Sequence, residues 1–132
     1  MKILIIDDSN TARYVLVKLL RDLAYKDVCA VESAEEGLIR LKADRYDLIL
    51  LDWNLDGMSG MDFLKIVRAD ANFKNVAIIM VTTVNERNSV IQALKVGVQG
   101  YFFKPVTKET LEAKLKEIAA KIEADVSPPA AA

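Results

Sequence analysis

Four short apolar runs punctuate the chain, and each ends in a reactive polar side chain. Ile3-Leu4-Ile5-Ile6 leads into Asp7-Asp8, and Leu48-Ile49-Leu50-Leu51 leads into Asp52. Val76-Ala77-Ile78-Ile79-Met80-Val81 stops at Thr82, and Tyr101-Phe102-Phe103 stops at Lys104. Runs of this length and composition read as strands buried on both faces, the kind found inside parallel sheets. A fifth strand is predicted around Asp27 to Glu32.

The segments between these runs carry helical spacing. Val15, Leu16, Leu19, Leu20 and Leu23 share a face after Asp8, where Ser9 or Asn10 can cap. Ser33-Ala34-Glu35-Glu36 reads as a capping box, with Leu38 and Leu41 on the buried stripe that follows. After an Asp56-Gly57 turn signal, a helix is predicted from about Met61 to Ala69. Another runs from about Glu86 to Val96 and ends at Gly97. Thr107 can cap the last helix, whose Leu111, Leu115, Ile118, Ala119 and Ile122 keep the period. Strand and helix alternate, which predicts an α/β fold of five parallel strands and five helices with right-handed crossovers. In such sheets ligands bind beyond the carboxyl ends of the strands. Asp7, Asp8, Asp52, Thr82 and Lys104 are therefore predicted to meet at one rim.

Composition narrows this picture. A chain of 132 residues, 52% hydrophobic, suits one domain, here 1–124, with Ser127-Pro128-Pro129 and three alanines placing residues 125–132 in a flexible tail. Net charge is −1, so no basic field recommends nucleic acid as a partner. The four apolar residues before Asp7 are too few for a signal peptide or a membrane span. Cys29 is the single cysteine, which excludes an intramolecular disulfide and suits a cytoplasmic location. The chain has no histidine, so histidine bases, histidine metal sites and phosphohistidine carriage are all excluded.

Three carboxylates and one ammonium leave the rim with two net negative charges. Carboxylates so close repel one another, and one is driven to hold a proton unless a cation intervenes. A hard divalent cation resolves this: Mg²⁺ commonly sits on one or two carboxylates and keeps waters for an incoming phosphate. Mn²⁺ is a possible substitute. With the charge balanced, a phosphoryl group becomes tolerable, and Thr82 and Lys104 can hold its oxygens. An aspartate here is also a competent nucleophile for phosphorus.

Four segments together carry a family resemblance: Ile6-Asp7-Asp8-Ser9, Leu51-Asp52-Trp53-Asn54, Val81-Thr82-Thr83, and Gly100-Tyr101-Phe102-Phe103-Lys104-Pro105. In this order and at these separations, the chain from about Met1 to Ala124 resembles the response-regulator receiver family, its stand-alone chemotaxis type in particular. The resemblance implies a doubly wound, flavodoxin-like sheet of order 2-1-3-4-5. It implies that Asp52 is the phosphoacceptor and that Asp8, Asp52 and the backbone carbonyl of Asn54 ligate Mg²⁺, with Asp7 acting mostly through water. It further implies that Lys104 and Thr82 contact the phosphoryl group and that Lys104-Pro105 is a cis peptide. Thr82 and Tyr101 are the implied switch residues, acting on a surface built from the fourth helix, fifth strand and fifth helix. Such a domain takes its phosphate from a sensor histidine kinase or a histidine phosphotransfer protein and signals to a downstream target protein. It is not an enzyme beyond its own phosphotransfer and dephosphorylation.

Departures from the family's habit fall at Asp56, where proline is usual, and Ser59, where aspartate is usual; a more mobile loop is expected. Thr83 stands where a smaller residue is common, and its methyl narrows access to Asp52. Val84 occupies a position that influences phosphate lifetime in some members. Tyr101 and Phe103 lie on one side of their strand, with Phe102 opposite. Core packing is expected for one of these two rings; if that strand is an edge, an exposed Phe103 beside Ile91 and Lys95 suits a partner surface instead. Lys108, Lys114, Lys116 and Lys121 read as a solvated face.

Three other functions compete. A flavin carrier on this fold would want a Ser/Thr/Gly-rich phosphate loop where Asp7-Asp8-Ser9-Asn10 stands. A haloacid-dehalogenase-type hydrolase would want a second aspartate at the position of Asn54. A degenerate receiver that binds partners without phosphate would not need its acidic residues and Lys104 intact.

Overall fold

The computed structural model describes residues 1–126. Ten elements alternate in chain order: β1 (Ile3–Ile6), α1 (Asn10–Asp22), β2 (Val28–Val31), α2 (Ala34–Ala43), β3 (Leu48–Asp52), α3 (Gly60–Ala69), β4 (Ala77–Thr82), α4 (Arg87–Val96), β5 (Gly100–Phe103) and α5 (Lys108–Val126). Single 3₁₀ turns at Ala71–Phe73 and Val84–Glu86 lead into β4 and α4. The five strands form one parallel sheet in the order β2-β1-β3-β4-β5, as the family resemblance implied. Residues 125 and 126 continue α5, two positions into the expected tail; the rest of that tail, 127–132, lies outside the described residues.

Side-chain alternation along the strands builds two cores. Leu4, Ile6, Ile49, Leu51, Ile78 and Met80 face one way and pack with Leu41, Phe63, Leu64, Val67, Val90 and Ala93 from α2, α3 and α4. Ile3, Ile5, Leu48, Leu50, Ile79 and Val81 face the other way, against Leu16 and Leu20 of α1 and Leu111, Leu115 and Ile118 of α5. Both faces of the inner strands are covered, so these strands hold almost no polar residue until their last positions. Among the described residues, no helix is long and apolar enough to cross a membrane.

The caps place the helix starts. Ser9, rather than Asn10, caps α1 and accepts from the Ala12 N–H at 3.1 Å. Ser33 accepts from Glu36 N–H at 3.1 Å, while the Glu36 carboxylate reaches the N–H of Glu32 at 3.4 Å, one residue before the cap itself. Thr107 accepts from Thr110 N–H at the start of α5. Gly97 ends α4 at φ 134°, a conformation that side chains rarely adopt.

Candidate functional site

Register delivers the polar strand ends to one rim. Ile6 pairs with Leu51, Asp52 with Val81, and Thr82 with Phe103, so residues 7 and 52 fall at one level, with 82 one position and 104 two positions beyond it. Main-chain bonds continue the ladders past the strands: Asp7 N–H donates to Val31 O at 3.1 Å, Trp53 N–H to Val81 O at 3.0 Å, and Lys104 N–H to Thr82 O at 2.7 Å. The fold thus brings together all five residues predicted to meet. Asp7, Asp52 and Thr82 are 1%, 3% and 0% exposed, the buried polar side chains of the molecule among the described residues.

Asp7 is held through every polar group it has. Its Oδ1 accepts from the Ser9 N–H at 2.9 Å, its carbonyl accepts from the Arg13 guanidinium at 2.6 Å, and its Oδ2 lies 3.9 Å from Lys104 Nζ. Asp8 is exposed, and its carboxylate joins those of Asp7 and Asp52 with oxygens mutually within 4.8 Å. Asp52 Oδ1 lies 3.1 Å from the Lys104 ammonium but not in hydrogen-bond alignment, and among the described residues Thr82 Oγ1 has no partner. Burial pushes the Asp52 carboxyl above the ordinary carboxylate range, and the neighbouring Asp7 charge adds to it. The Lys104 ammonium and the Asn54 backbone N–H pull the other way and do not cancel the rise.

These residues fit a hard cation. Three carboxylate oxygens lie close together, a buried oxygen lacks an aligned donor, and one ammonium cannot balance three charges. The same arrangement sets the Lys104 ammonium beside Asp52 and leaves the buried Thr82 hydroxyl at the same rim with its donor unspent.

The loop after Trp53 is built from particular contacts. Gly57 makes the expected turn at φ 76°, and Met58 N–H donates to the Glu35 carboxylate at 3.4 Å. Ser59 caps α3 by accepting from Asp62 N–H at 3.1 Å, a task its hydroxyl performs as an aspartate would. Gly60 lets α3 close on Trp53: a Cβ there would stand 3.1 Å from Trp53 Cα and nearer still to its ring. Thr83 is exposed, and the Val84 side chain is outside what is described. Lys104-Pro105 is cis.

Of the two readings for the β5 rings, core packing of one of them holds and an exposed Phe103 does not. β5 is an edge strand, but Phe103 is half-buried against the core and Tyr101 is the exposed ring, at 44%. The two rings pack at 5.2 Å between centroids and 57° between planes. Alternation put both on one side and could not say which the neighbouring elements would cover. Lys108, Lys116 and Lys121 are exposed as predicted, and Lys114 is half-buried over Gly100. Sequence reasoning missed Arg13 and Glu35. Arg13 stands one turn into α1, where its reach to the β1 end could have been suspected. The partner of Glu35 is 23 positions away, and no local pattern marks it.

Comparison with known proteins agrees with this geometry. The chain matches the family model described as response regulator receiver domain over residues 3–116. It is 39% identical over 118 residues to the chemotaxis protein CheY of Pseudomonas aeruginosa, covering 89% of this chain and 95% of that one. The fold superposes on the chemotaxis protein CheY4 of Vibrio cholerae with a TM-score of 0.81 at 32% identity, covering 89% and 97% of the two chains. It also superposes on the receiver domain of a Pseudomonas aeruginosa sensor histidine kinase, whose structure has a magnesium ion coordinated in its active site cleft, with a TM-score of 0.80 at 28% identity and coverage of 89% and 97%. With its sheet order, its rim and its match over residues 3–116, the chain belongs to the response regulator receiver domain family of two-component signalling.

Proposed function

We propose that this receiver accepts a phosphoryl group on Asp52 and uses it to switch partner binding. The observation that carries the reading is Asp52 itself, a buried carboxylate at a strand end with an unaligned oxygen facing Lys104. In the transfer, an Asp52 oxygen forms the bond to phosphorus as the bond to the donor's histidine nitrogen breaks, and that electron pair leaves with the histidine. Lys104, already at 3.1 Å, takes up negative charge on the phosphoryl oxygens. Thr82, with an unspent hydroxyl, donates to one of them.

Asp8, Asp52 and the Asn54 carbonyl would hold Mg²⁺ directly, or Mn²⁺ in its place. Asp7, whose own oxygens are engaged, would act through water. The ion would supply charge neutralisation at the carboxylates and at the transferring phosphoryl oxygens. Because the chain has no histidine, the donor is another protein: a histidine kinase or a histidine phosphotransfer protein. The output is the face of α4, β5 and α5, where Ile91, Leu94 and Tyr101 are exposed, read by a downstream target protein. The protein acts in the cytoplasm, without direct nucleic-acid or membrane contact, and as a regulator whose only chemistry is on itself. The domain proper runs through the end of α5 at Val126, two residues past the boundary expected from the sequence. Incubation with acetyl phosphate and Mg²⁺, followed by intact-mass and peptide analysis, tests this: wild type gains one phosphoryl group on Asp52, and Asp52→Asn gains none. Undiminished labelling of the variant overturns the assignment.

A further inference from the structure

Arg68, in the last turn of α3, makes contacts that the proposed phosphoryl chemistry does not use. Its Nε donates to Gly97 O at 2.8 Å, one Nη to Phe73 O at 3.2 Å, and the other to Val76 O at 2.8 Å and the Gln99 side-chain oxygen at 3.0 Å. That Gln99 oxygen also accepts from the Ile78 N–H at 2.6 Å. The guanidinium is half-buried, and among the described residues it forms no ion pair. An arginine is charged at any ordinary pH, so a partly desolvated one whose partners are all neutral needs an account.

The acceptors supply it. Gly97 O lies at the carboxyl end of α4, where unpaired carbonyls and the helix dipole favour a cation. Phe73 O and Val76 O precede β4, and Gln99 immediately precedes β5. One side chain therefore ties the far end of α4 to the starts of the last two strands. Gly97 is part of the device: a Cβ there would stand 3.2 Å from Arg68 Nε, and the φ of 134° disfavours any side chain.

The other end of α4 is built differently. Neither Thr83 nor Glu86 supplies a side-chain cap to the turn or the helix it precedes. This end follows Thr82 by one residue and a 3₁₀ turn, and the Thr82 hydroxyl is buried without a partner among the described residues. The Glu86 carboxylate accepts from the Ser89 hydroxyl at 3.1 Å, but that bond stays within the first turn of α4, whereas the Arg68 tie to neighbouring elements lies at the end remote from the site.

We propose that Arg68 is the fulcrum of the switch, a positioning residue that pins the carboxyl end of α4 and the start of β5. A displacement at Thr82 then reaches α4 as a swing of its amino end, with little sliding of the whole helix. The activation part of this inference rests on the phosphorylation reading above; the anchoring part does not.

Amide hydrogen exchange of the full chain tests both. Without Mg²⁺ or phosphate, Arg68→Gln speeds the amides of residues 94–99 by at least about ten-fold and leaves those of β1 and β3 within about two-fold. Arg68→Lys keeps a cation for Gly97 O and falls between the two. Exchange at 94–99 within two-fold of wild type overturns the anchor. An equal rise across every strand, the mark of a merely structural role, overturns it as well. In wild type treated with Mg²⁺ and acetyl phosphate, with Asp52 labelled by mass, exchange changes at residues 88–92 by several-fold more than at 94–98. That comparison needs no variant to fold. Uniform change along α4, or none while Asp52 carries the label, overturns the fulcrum. Absence of any label counts against the phosphorylation reading alone, and the unphosphorylated comparison still decides the anchor.

Discussion

The ammonium of Lys104 lies 3.1 Å from Oδ1 of Asp52, although it follows β5, two strands over in the sheet, and is 52 positions away in sequence. It also lies 3.9 Å from Oδ2 of Asp7, so one flexible cation partly offsets two buried carboxylates. Lysine suits that task because its charge is compact and can follow an oxygen that moves. Lys104→Ala should therefore leave Mg²⁺ affinity within about three-fold of wild type, because no proposed ligand is removed and a competing cation is lost. It should abolish the difference in partner binding between phosphorylated and unphosphorylated protein. Metal titration and a paired pull-down measure the two effects separately, and an undiminished difference would remove Lys104 from the coupling.

Metal-free Asp52 works against folding at neutral pH. Burial, then Asp7, hold its carboxyl above the ordinary range despite Lys104 and the Asn54 N–H. A carboxyl raised in the folded state contributes stability that is fully present below its unfolded value, near 3.9, and is lost as pH rises through the folded one. In EDTA at pH 7, Asp52→Asn should melt higher than wild type by about 2–6 °C. The gap should close as the pH falls toward about 4 and both side chains become neutral. Melting curves across that range check the sign; a variant less stable than wild type at pH 7 would mean the Lys104 pairing outweighs burial.

Trp53 is the sole tryptophan; it follows Asp52 directly and is buried against Gly60. Any change of charge or loop position at the rim alters the surroundings of its ring. Its emission should shift on adding Mg²⁺ and again on phosphorylation, and Asp52→Asn should lose the second step. Gly60→Ala should blunt both responses and cost roughly 1–3 kcal/mol, since the added methyl meets the Trp53 ring and backbone. Fluorescence titration with a parallel melt distinguishes the optical effect from unfolding.

What was legible in the chain follows from how local each cause is. β1, β3 and β4 announced themselves because strands covered on both faces admit few polar residues before their ends, and the edge strand β5 did so through its aromatic run. β2, with its half-exposed Cys29 and exposed Ala30, was a weaker signal and came out shorter than the predicted span. The caps at Ser33 and Thr107 were readable because each partner lies three positions on. The rim needed one further step, topology, after which five residues scattered from 7 to 104 had to converge. Arg68 gave no sign: its acceptors are main-chain carbonyls and one amide, and nothing in a sequence marks a carbonyl as wanted. The exchange of roles between Tyr101 and Phe103 has the same origin, since period fixes the side of a strand and the neighbouring elements decide the cover.

Thr82 offers the sharpest separation of stability from signalling. Its hydroxyl is fully buried and has no hydrogen-bond partner among the described residues, although its own carbonyl accepts from Lys104 N–H. An unpaired buried polar group costs about 1–3 kcal/mol, and replacing it by an apolar group of the same shape removes that cost. Thr82→Val should therefore raise the stability of the metal-free, unphosphorylated protein by about 1 kcal/mol. Thr82→Ala should not, because it also deletes a methyl from a packed strand end and loses its contacts. In the phosphorylated state the balance reverses: the hydroxyl is the donor left for a phosphoryl oxygen, and valine cannot supply it. The valine variant should still be labelled on Asp52 and still bind Mg²⁺, yet discriminate phosphorylated from unphosphorylated partner complexes several-fold less well. Chemical denaturation reads the first effect, and partner affinity measured with and without acetyl phosphate reads the second. A stabilised valine variant with full discrimination would show that Thr82 packs the strand end and that the signal leaves by another residue.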